Sequence, residues 1–103
     1  MTFEIILAPE AAHSLRKLRA HVRAEVRDAI EAHLRHEPTK VSKSRIKRLR
    51  GLSQPQFRLR VGDIRVFYDV TEAAVEVLAI IEEAEARAWL DEEGTPTPGG
   101  GPR

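Results

Sequence analysis

Residues 57–70 have the sequence FRLRVGDIRVFYDV, in which two alternating stretches flank a Gly-Asp pair. Alternation of apolar residues with a period of two is typical of β-strands that bury one face. Gly62 supplies the positive φ angle that a tight two-residue turn requires, so Gly62-Asp63 predicts a β-hairpin. This hairpin decides the fold, because its register assigns each side chain to one of two faces.

A two-residue loop fixes the register of the hairpin. It places apolar residues opposite one another on one face: Val61 with Ile64, Leu59 with Val66, and Phe57 with Tyr68. A shift of one residue would scramble these pairs, which supports the register. On the other face Arg60 lies opposite Arg65, and Arg58 lies opposite Phe67. Tyr68 is therefore predicted to belong to the core.

The opposed arginines require an explanation. Like charges directly across a strand pair cost up to about 1 kcal/mol. Three arginines on one surface, Arg58, Arg60 and Arg65, indicate a bound anion, since guanidinium groups match phosphate oxygens in a bidentate manner. The alternative is that acidic residues from the segment 82–93 fold back and neutralise the arginines.

The distribution of charge extends this basic character. The chain has a net charge of +1, but the segment from Lys40 to Arg65 contains nine basic residues and one acid, giving +8. The rest of the chain has a net charge of −7. Such asymmetry indicates a polyanionic or acidic partner, and the alternative is a solvated basic face.

Length and composition limit the class of protein. The 103 residues are enough for one domain, and the absence of cysteine excludes a disulfide framework, a thiolate metal site and a cysteine nucleophile. No apolar run is long enough to cross a membrane, so we expect a cytoplasmic protein. We expect no cofactor and no metal, because His33, His36 and Glu37 have no further strong ligand placed beside them.

The remaining sequence predicts an α+β domain. Residues 3–8 form a strand. Apolar residues spaced three or four apart from Ala12 to Leu34 predict two helices, joined near residues 19–21 and packed as a hairpin. Residues 39–55 connect them to the strands, with a helical turn that places Ile46 and Leu49 against the core.

Three strands follow, at residues 56–61, 64–70 and 74–81, and then a C-terminal helix within residues 82–93 that offers Ala84, Trp89 and Leu90 for packing. We therefore expect a small antiparallel sheet of about four strands, with the two-helix hairpin on one face. Residues 1–93 form the single domain. Residues 94–103 are rich in proline and glycine and are predicted to be a disordered tail.

The block KRLRGLSQPQFRLRVGDIRVFYDV, residues 47–70, resembles the central part of RelE/ParE-type toxins of bacterial type II toxin–antitoxin systems. The shared features are a basic, leucine-containing lead-in, an Arg-x-Arg strand, a Gly-Asp turn, and an arginine followed by a strand with tyrosine. The resemblance also covers the first strand and the helical pair. It implies a small domain with two helices against an antiparallel sheet.

The resemblance implies a ribosome-dependent mRNA endoribonuclease, a hydrolase that inhibits translation and is neutralised by a cognate antitoxin in a hetero-oligomer. Arg58, Arg60 and Arg65 match the catalytic positions, where they would stabilise the charge that develops when a ribose 2′-hydroxyl attacks the adjacent phosphate. Phosphate contacts that position the RNA are expected from the other basic residues. These are Lys43, Arg45, Lys47, Arg48, Arg50 and Arg87.

The C-terminal part departs from the nuclease pattern. Nuclease members place a basic residue after the last strand and a tyrosine near the end, but these positions fall near Ala84 and Leu90. Two alternatives therefore stay open. One is a ParE-like inhibitor that binds DNA gyrase, and the other is a non-catalytic relative that only binds RNA or a partner protein.

Overall fold

The computed structural model describes residues 1–98. The elements occur in the order β1 (Glu4–Leu7), α1 (Pro9–Lys17), α2 (Ala20–Leu34), β2 (Ile46–Arg48), β3 (Leu52–Gln54), β4 (Phe57–Val61), β5 (Ile64–Val70), β6 (Ala74–Glu82), α3 (Glu83–Glu93) and β7 (Thr95–Pro96). The prediction of an α+β domain is confirmed. None of the helices in this part of the chain is long and apolar enough to cross a membrane.

The main sheet has five strands in the order β1-β6-β5-β4-β2, one more than predicted. Strand β1 runs parallel to β6, and the other neighbours are antiparallel. The predicted hairpin register is confirmed at every pair, from Phe57 opposite Tyr68 to Val61 opposite Ile64. Gly62 has a φ angle of +58°, as the tight turn requires.

The helices α1 and α2 form a hairpin against one face of the sheet. Pro9 occupies the first turn of α1, where its missing N–H costs no hydrogen bond. The break predicted near residues 19–21 lies at Leu18-Arg19, where both residues have extended backbone. It needs no glycine, because Nη1 of Arg23 donates hydrogen bonds to the carbonyl oxygens of Arg16 and Leu18 and so satisfies the end of α1.

The core lies between this helical hairpin and the sheet. Its helical side comprises Ala11, Leu15, Val26, Ile30 and Leu34, and its sheet side includes Leu59, Val66, Val75 and Val77. Tyr68 belongs to the core as predicted, and its ring stacks on Phe57 with the ring centroids 5.5 Å apart. The Tyr68 hydroxyl donates a hydrogen bond of 2.6 Å to the buried carbonyl oxygen of Pro38.

The connecting segment differs from the prediction of a helical turn. Ile46 is buried, but it lies in the edge strand β2, which pairs with β4. Oγ of Ser42 accepts hydrogen bonds from the backbone N–H groups of Arg45 and Ile46, and this local turn starts the strand. Residues 46–48 form a strand and not a helical turn, because their backbone groups form hydrogen bonds with the free edge of β4.

The buried carboxylate of Asp69 fixes the segment that precedes β4. Its two oxygens accept hydrogen bonds from Nε2 of Gln54, at 2.6 Å, and from the backbone N–H of Gln56, at 2.8 Å. The side chain of Gln56 in turn accepts a hydrogen bond from the N–H of Val70. Charge-assisted bonds of this kind hold the chain in place after β3.

Strand β7 lies within the segment predicted as a disordered tail. Thr95 and Pro96 pair with Gln54 and Leu52 of β3, and the N–H of Thr97 donates to the carbonyl of Gly51. The expectation of disorder therefore does not apply to these residues, because β3 offers them an unpaired strand. Residues 99–103 of that segment lie outside the described residues.

We expect Tyr68→Phe to lower the free energy of unfolding by about 1–3 kcal/mol, because the carbonyl oxygen of Pro38 loses its partner in a buried position. Urea denaturation measures this difference. Burial raises the pKa of Tyr68, so the folded state holds the phenol proton more tightly than the unfolded state does.

This tyrosine contribution to stability is present below the unfolded pKa of about 10 and declines as the pH rises above it. Tyr68 is the single tyrosine, so the difference in stability between the wild-type chain and Tyr68→Phe isolates the effect. The difference should shrink between pH 9 and pH 11. A constant difference over this range would contradict the assigned role of the phenol.

Candidate functional site

The site lies on the sheet face opposite to the helical hairpin. Cross-strand pairing aligns Lys47, Arg58 and Phe67 in one row and Arg60 with Arg65 in the next. We call these five residues the arginine face. Because side chains alternate along a strand, the residues between these five point into the core. The sheet therefore separates the basic surface from the apolar core.

Helix α3 covers part of the arginine face. The indole of Trp89 stacks on the ring of Phe67, with the centroids 5.2 Å apart and the planes 14° from parallel. At the start of α3, the N–H of Glu83 donates a 2.7 Å hydrogen bond to the carbonyl of Asp63 in the hairpin turn. The helix therefore reaches from the turn to the centre of the face.

Arg65 is buried, and both of its terminal nitrogens have partners. Its side chain is 8% exposed, and Nη2 forms an ion pair of 3.0 Å with Oε2 of Glu83. Nη1 donates hydrogen bonds to the carbonyl oxygens of Gly62, at 2.8 Å, and of Ile64. Arg65 thus ties the turn to the start of α3. For Arg65 the structure therefore agrees with the alternative interpretation: an acid from residues 82–93, Glu83, neutralises it.

Arg58 and Arg60 differ from Arg65 in their ion pairing. In the part of the chain that the structure describes, neither has a carboxylate oxygen within 4 Å. Arg60 is exposed, whereas Arg58 is half-buried and its Nε has no hydrogen-bond partner. Burial first, and then the charges of Arg65 and Arg60, lower the pKa of Arg58. The guanidinium stays protonated, so this is a charge that a bound anion would stabilise.

The remaining predicted contact residues are spread over several surfaces. Arg48 points to the other side of the sheet, where its guanidinium lies 5.0 Å from the ring centroid of Phe57. Arg45 lies beside His33, and burial together with the charge of Arg45 lowers the pKa of His33. Lys43, Arg50 and Arg87 are exposed, the first two in loops and the third on α3.

The structure therefore brings together Lys47, Arg58, Arg60 and Arg65 on one sheet face. Arg45 and Arg48 lie elsewhere, and the other predicted residues are outside the strands of this face. The sequence left open that an acid from residues 82–93 would neutralise the arginines and predicted packing of Trp89, but it did not identify Glu83 as that acid or Phe67 as the partner of Trp89. A signal was present, because Ala86, Trp89 and Leu90 have the i, i+3, i+4 spacing of a helix face, and these three are the partly buried residues of α3. Ala84, which we expected to pack, is exposed.

Within residues 1–98 no group of three or more histidine, cysteine, aspartate or glutamate side chains is arranged to hold a metal ion. The basic side chains of the arginine face are cationic hydrogen-bond donors. Guanidinium and ammonium groups bind phosphate oxygens and stabilise negative charge that develops on them.

A family model matches residues 5–87, and its description is ParE toxin of type II toxin-antitoxin system, parDE. No curated protein matches the chain. The resemblance to RelE/ParE-type toxins is confirmed. The match ends before Trp89 and β7, so these lie outside the part that the family model describes.

Solved structures have the same fold. The toxin–antitoxin complex RelBE2 from Mycobacterium tuberculosis gives a TM-score of 0.65 at 24% identity, covering 80% of this chain and 99% of that chain. The RelE–RelB complex from Pyrococcus horikoshii gives 0.60 at 25% identity, covering 81% and 97%. A mutant of the E. coli toxin RelE in the free state gives 0.55 at 21% identity, covering 89% and 94%.

We expect Arg65→Ala to lower the free energy of unfolding by about 1–3 kcal/mol, because its hydrogen bonds hold the turn in a buried position. Its cross-strand neighbour provides a matched control. Arg60→Ala removes an exposed arginine and should change the stability by no more than about 0.5 kcal/mol. Urea denaturation of both variants measures the effect, and equal losses of stability would contradict the structural role of Arg65.

Proposed function

Since the chain belongs to the family of ParE toxins of type II toxin–antitoxin systems, we propose that it binds mRNA on the ribosome and cleaves it. Translation would stop as a result, and a cognate antitoxin would neutralise the chain by binding to it. The site of action would be the cytoplasm, where ribosomes translate mRNA.

One observation carries the proposal of an RNA target. Arg58 and Arg60 lie on the same sheet face as Lys47, and within residues 1–98 neither arginine has a carboxylate oxygen within 4 Å. Arg58 and Arg60 are two residues apart on one strand and Lys47 lies across from Arg58, a spacing of cations that suits the phosphates of a single strand of nucleic acid. Arg58 is half-buried beside the charges of Arg65 and Arg60, so a bound phosphate would stabilise its charge more than that of an isolated, exposed arginine.

Cleavage would proceed by attack of a ribose 2′-hydroxyl on the adjacent phosphorus. The bond between the 2′-oxygen and phosphorus forms, the bond to the 5′-oxygen breaks, and a cyclic phosphate results. Arg58 and Arg60 would stabilise the negative charge on the phosphorane oxygens. Leu90 and Ala84 occupy the positions where nuclease members are expected to have tyrosine and a basic residue, so proton transfer is assigned to water or to groups of the ribosome.

The test is expression of the chain in cells without its antitoxin, followed by mapping of new mRNA 5′ ends within translated regions. We expect Arg60→Ala to reduce cleavage about a hundredfold, the usual loss when one donor to a developing oxyanion is removed. Arg16→Ala provides the control, because Arg16 is an exposed arginine of α1, on the opposite side of the sheet. Equal cleavage by Arg60→Ala and Arg16→Ala would contradict the assignment.

A second candidate is inhibition of DNA gyrase. The observations in its favour are the description of the matching family, which names the parDE system, and the departures at Ala84 and Leu90. Expression would then induce a DNA-damage response and leave translated mRNA intact. Absence of any growth arrest would contradict both candidates and indicate a module that only binds its partner.

A further inference from the structure

Phe67 is the apolar centre of the arginine face. It lies directly across the strand pair from Arg58, with Lys47 next in the same row. Phe67 is 1% exposed, and the indole of Trp89 stacks on its ring in nearly parallel planes. An aromatic ring on a sheet surface among basic side chains is the arrangement with which sheet-based RNA-binding domains hold unstacked bases.

Helix α3, which carries Trp89, has the chemical character of a nucleic acid strand. It bears five acidic residues and one arginine, a net charge of −4: Glu83, Glu85, Asp91, Glu92 and Glu93 against Arg87. Of these residues, Glu83 forms an ion pair with Arg65 of the sheet, and the other four acids are exposed. The carboxylate of Glu83 corresponds to a phosphate, and the indole of Trp89, stacked on Phe67, corresponds to a base.

The packing of α3 is weak enough to be reversed. None of its residues is fully buried. Nε of Arg58 and Nε1 of Trp89 are both shielded from solvent without a hydrogen-bond partner, and buried donors of this kind weaken the interface that contains them. The pairing of β7 with β3 involves two residues of β7, so the far end of the helix is held by few hydrogen bonds.

We propose that Phe67 is a stacking platform for a nucleobase of bound single-stranded RNA, and that Trp89 occupies this platform until RNA replaces it. The inference rests on the proposed RNA target and adds a residue that selects bases over bare phosphates. Trp89 lies beyond residue 87, where the family match ends.

The intrinsic fluorescence of the full chain provides the test, because Trp89 is its single tryptophan. The probe is a short single-stranded 2′-O-methyl RNA, which cannot be cleaved by 2′-hydroxyl attack. Its control is a strand of the same length with abasic positions throughout. We expect the base-containing strand to shift the Trp89 emission to longer wavelength as the indole enters solvent, and the abasic strand to bind without this shift.

Affinities measured by anisotropy of a labelled strand complete the test. Phe67→Ala should bind the base-containing strand roughly tenfold more weakly, since stacking of one base contributes that much, and should bind the abasic strand as the wild-type chain does. Trp89→Ala should bind the base-containing strand more tightly than wild type. Unfolding in urea of each variant checks that it is folded under the binding conditions.

The outcomes separate the two proposals. RNA binding with an unchanged Trp89 spectrum, or with equal affinity for both strands, would overturn the stacking platform and leave the RNA target intact. Absence of binding by both wild type and Trp89→Ala would overturn the platform, whereas the proposed function is tested separately by the mapping of mRNA ends in cells. Emission changes produced by an antitoxin peptide but not by RNA would assign the platform to a protein side chain and also overturn the proposal.

Discussion

The two-residue turn at Gly62-Asp63 is the constraint on which the rest of the structure depends. With Gly62 at a positive φ angle, β4 and β5 can pair in a single register. That register assigns Leu59, Val66 and Tyr68 to the helical side. Since the side-chain repeat of a strand is two residues, the same register assigns the arginines to the opposite side. Core and basic surface are therefore two consequences of one turn.

The three arginines that the register brings together have different roles, and burial decides between them. Arg65 is enclosed by the turn and by Glu83, where an unpaired guanidinium would be costly, and it has a partner for both of its terminal nitrogens. Arg60 is exposed, so its charge is hydrated and can be used for binding. Arg58 lies between these cases, half-buried beside an aromatic pair. A loss of activity on replacing Arg65 therefore reports on stability as well as on chemistry.

The features that the sequence predicted correctly depend on interactions between residues that are close together in the chain. The hairpin, the helical pair and the arginine surface follow from periodicity and from one glycine, and the structure contains all of them. The contribution of Asp69, which anchors Gln54 and Gln56, was not predictable, because it depends on residues that meet only after β4 and β5 have paired. The edge strand β2 and the packing of Trp89 on Phe67 are likewise long-range, and the sequence alone does not show which free edge or face a segment will cover.

The proposed binding of a polyanion by the arginine face depends on Arg58 and Arg60, the two arginines without an ion pair within 4 Å among the described residues. The most direct measurement is the dependence of the RNA association constant on salt concentration, because each phosphate contact releases counterions. In a plot of the logarithm of that constant against the logarithm of salt concentration, Arg58→Ala and Arg60→Ala should each reduce the steepness by about 0.7, the value for one contact with a single strand. Arg16→Ala should leave the slope unchanged. Equal slopes for all three variants and the wild-type chain would show that neither Arg58 nor Arg60 contacts a phosphate.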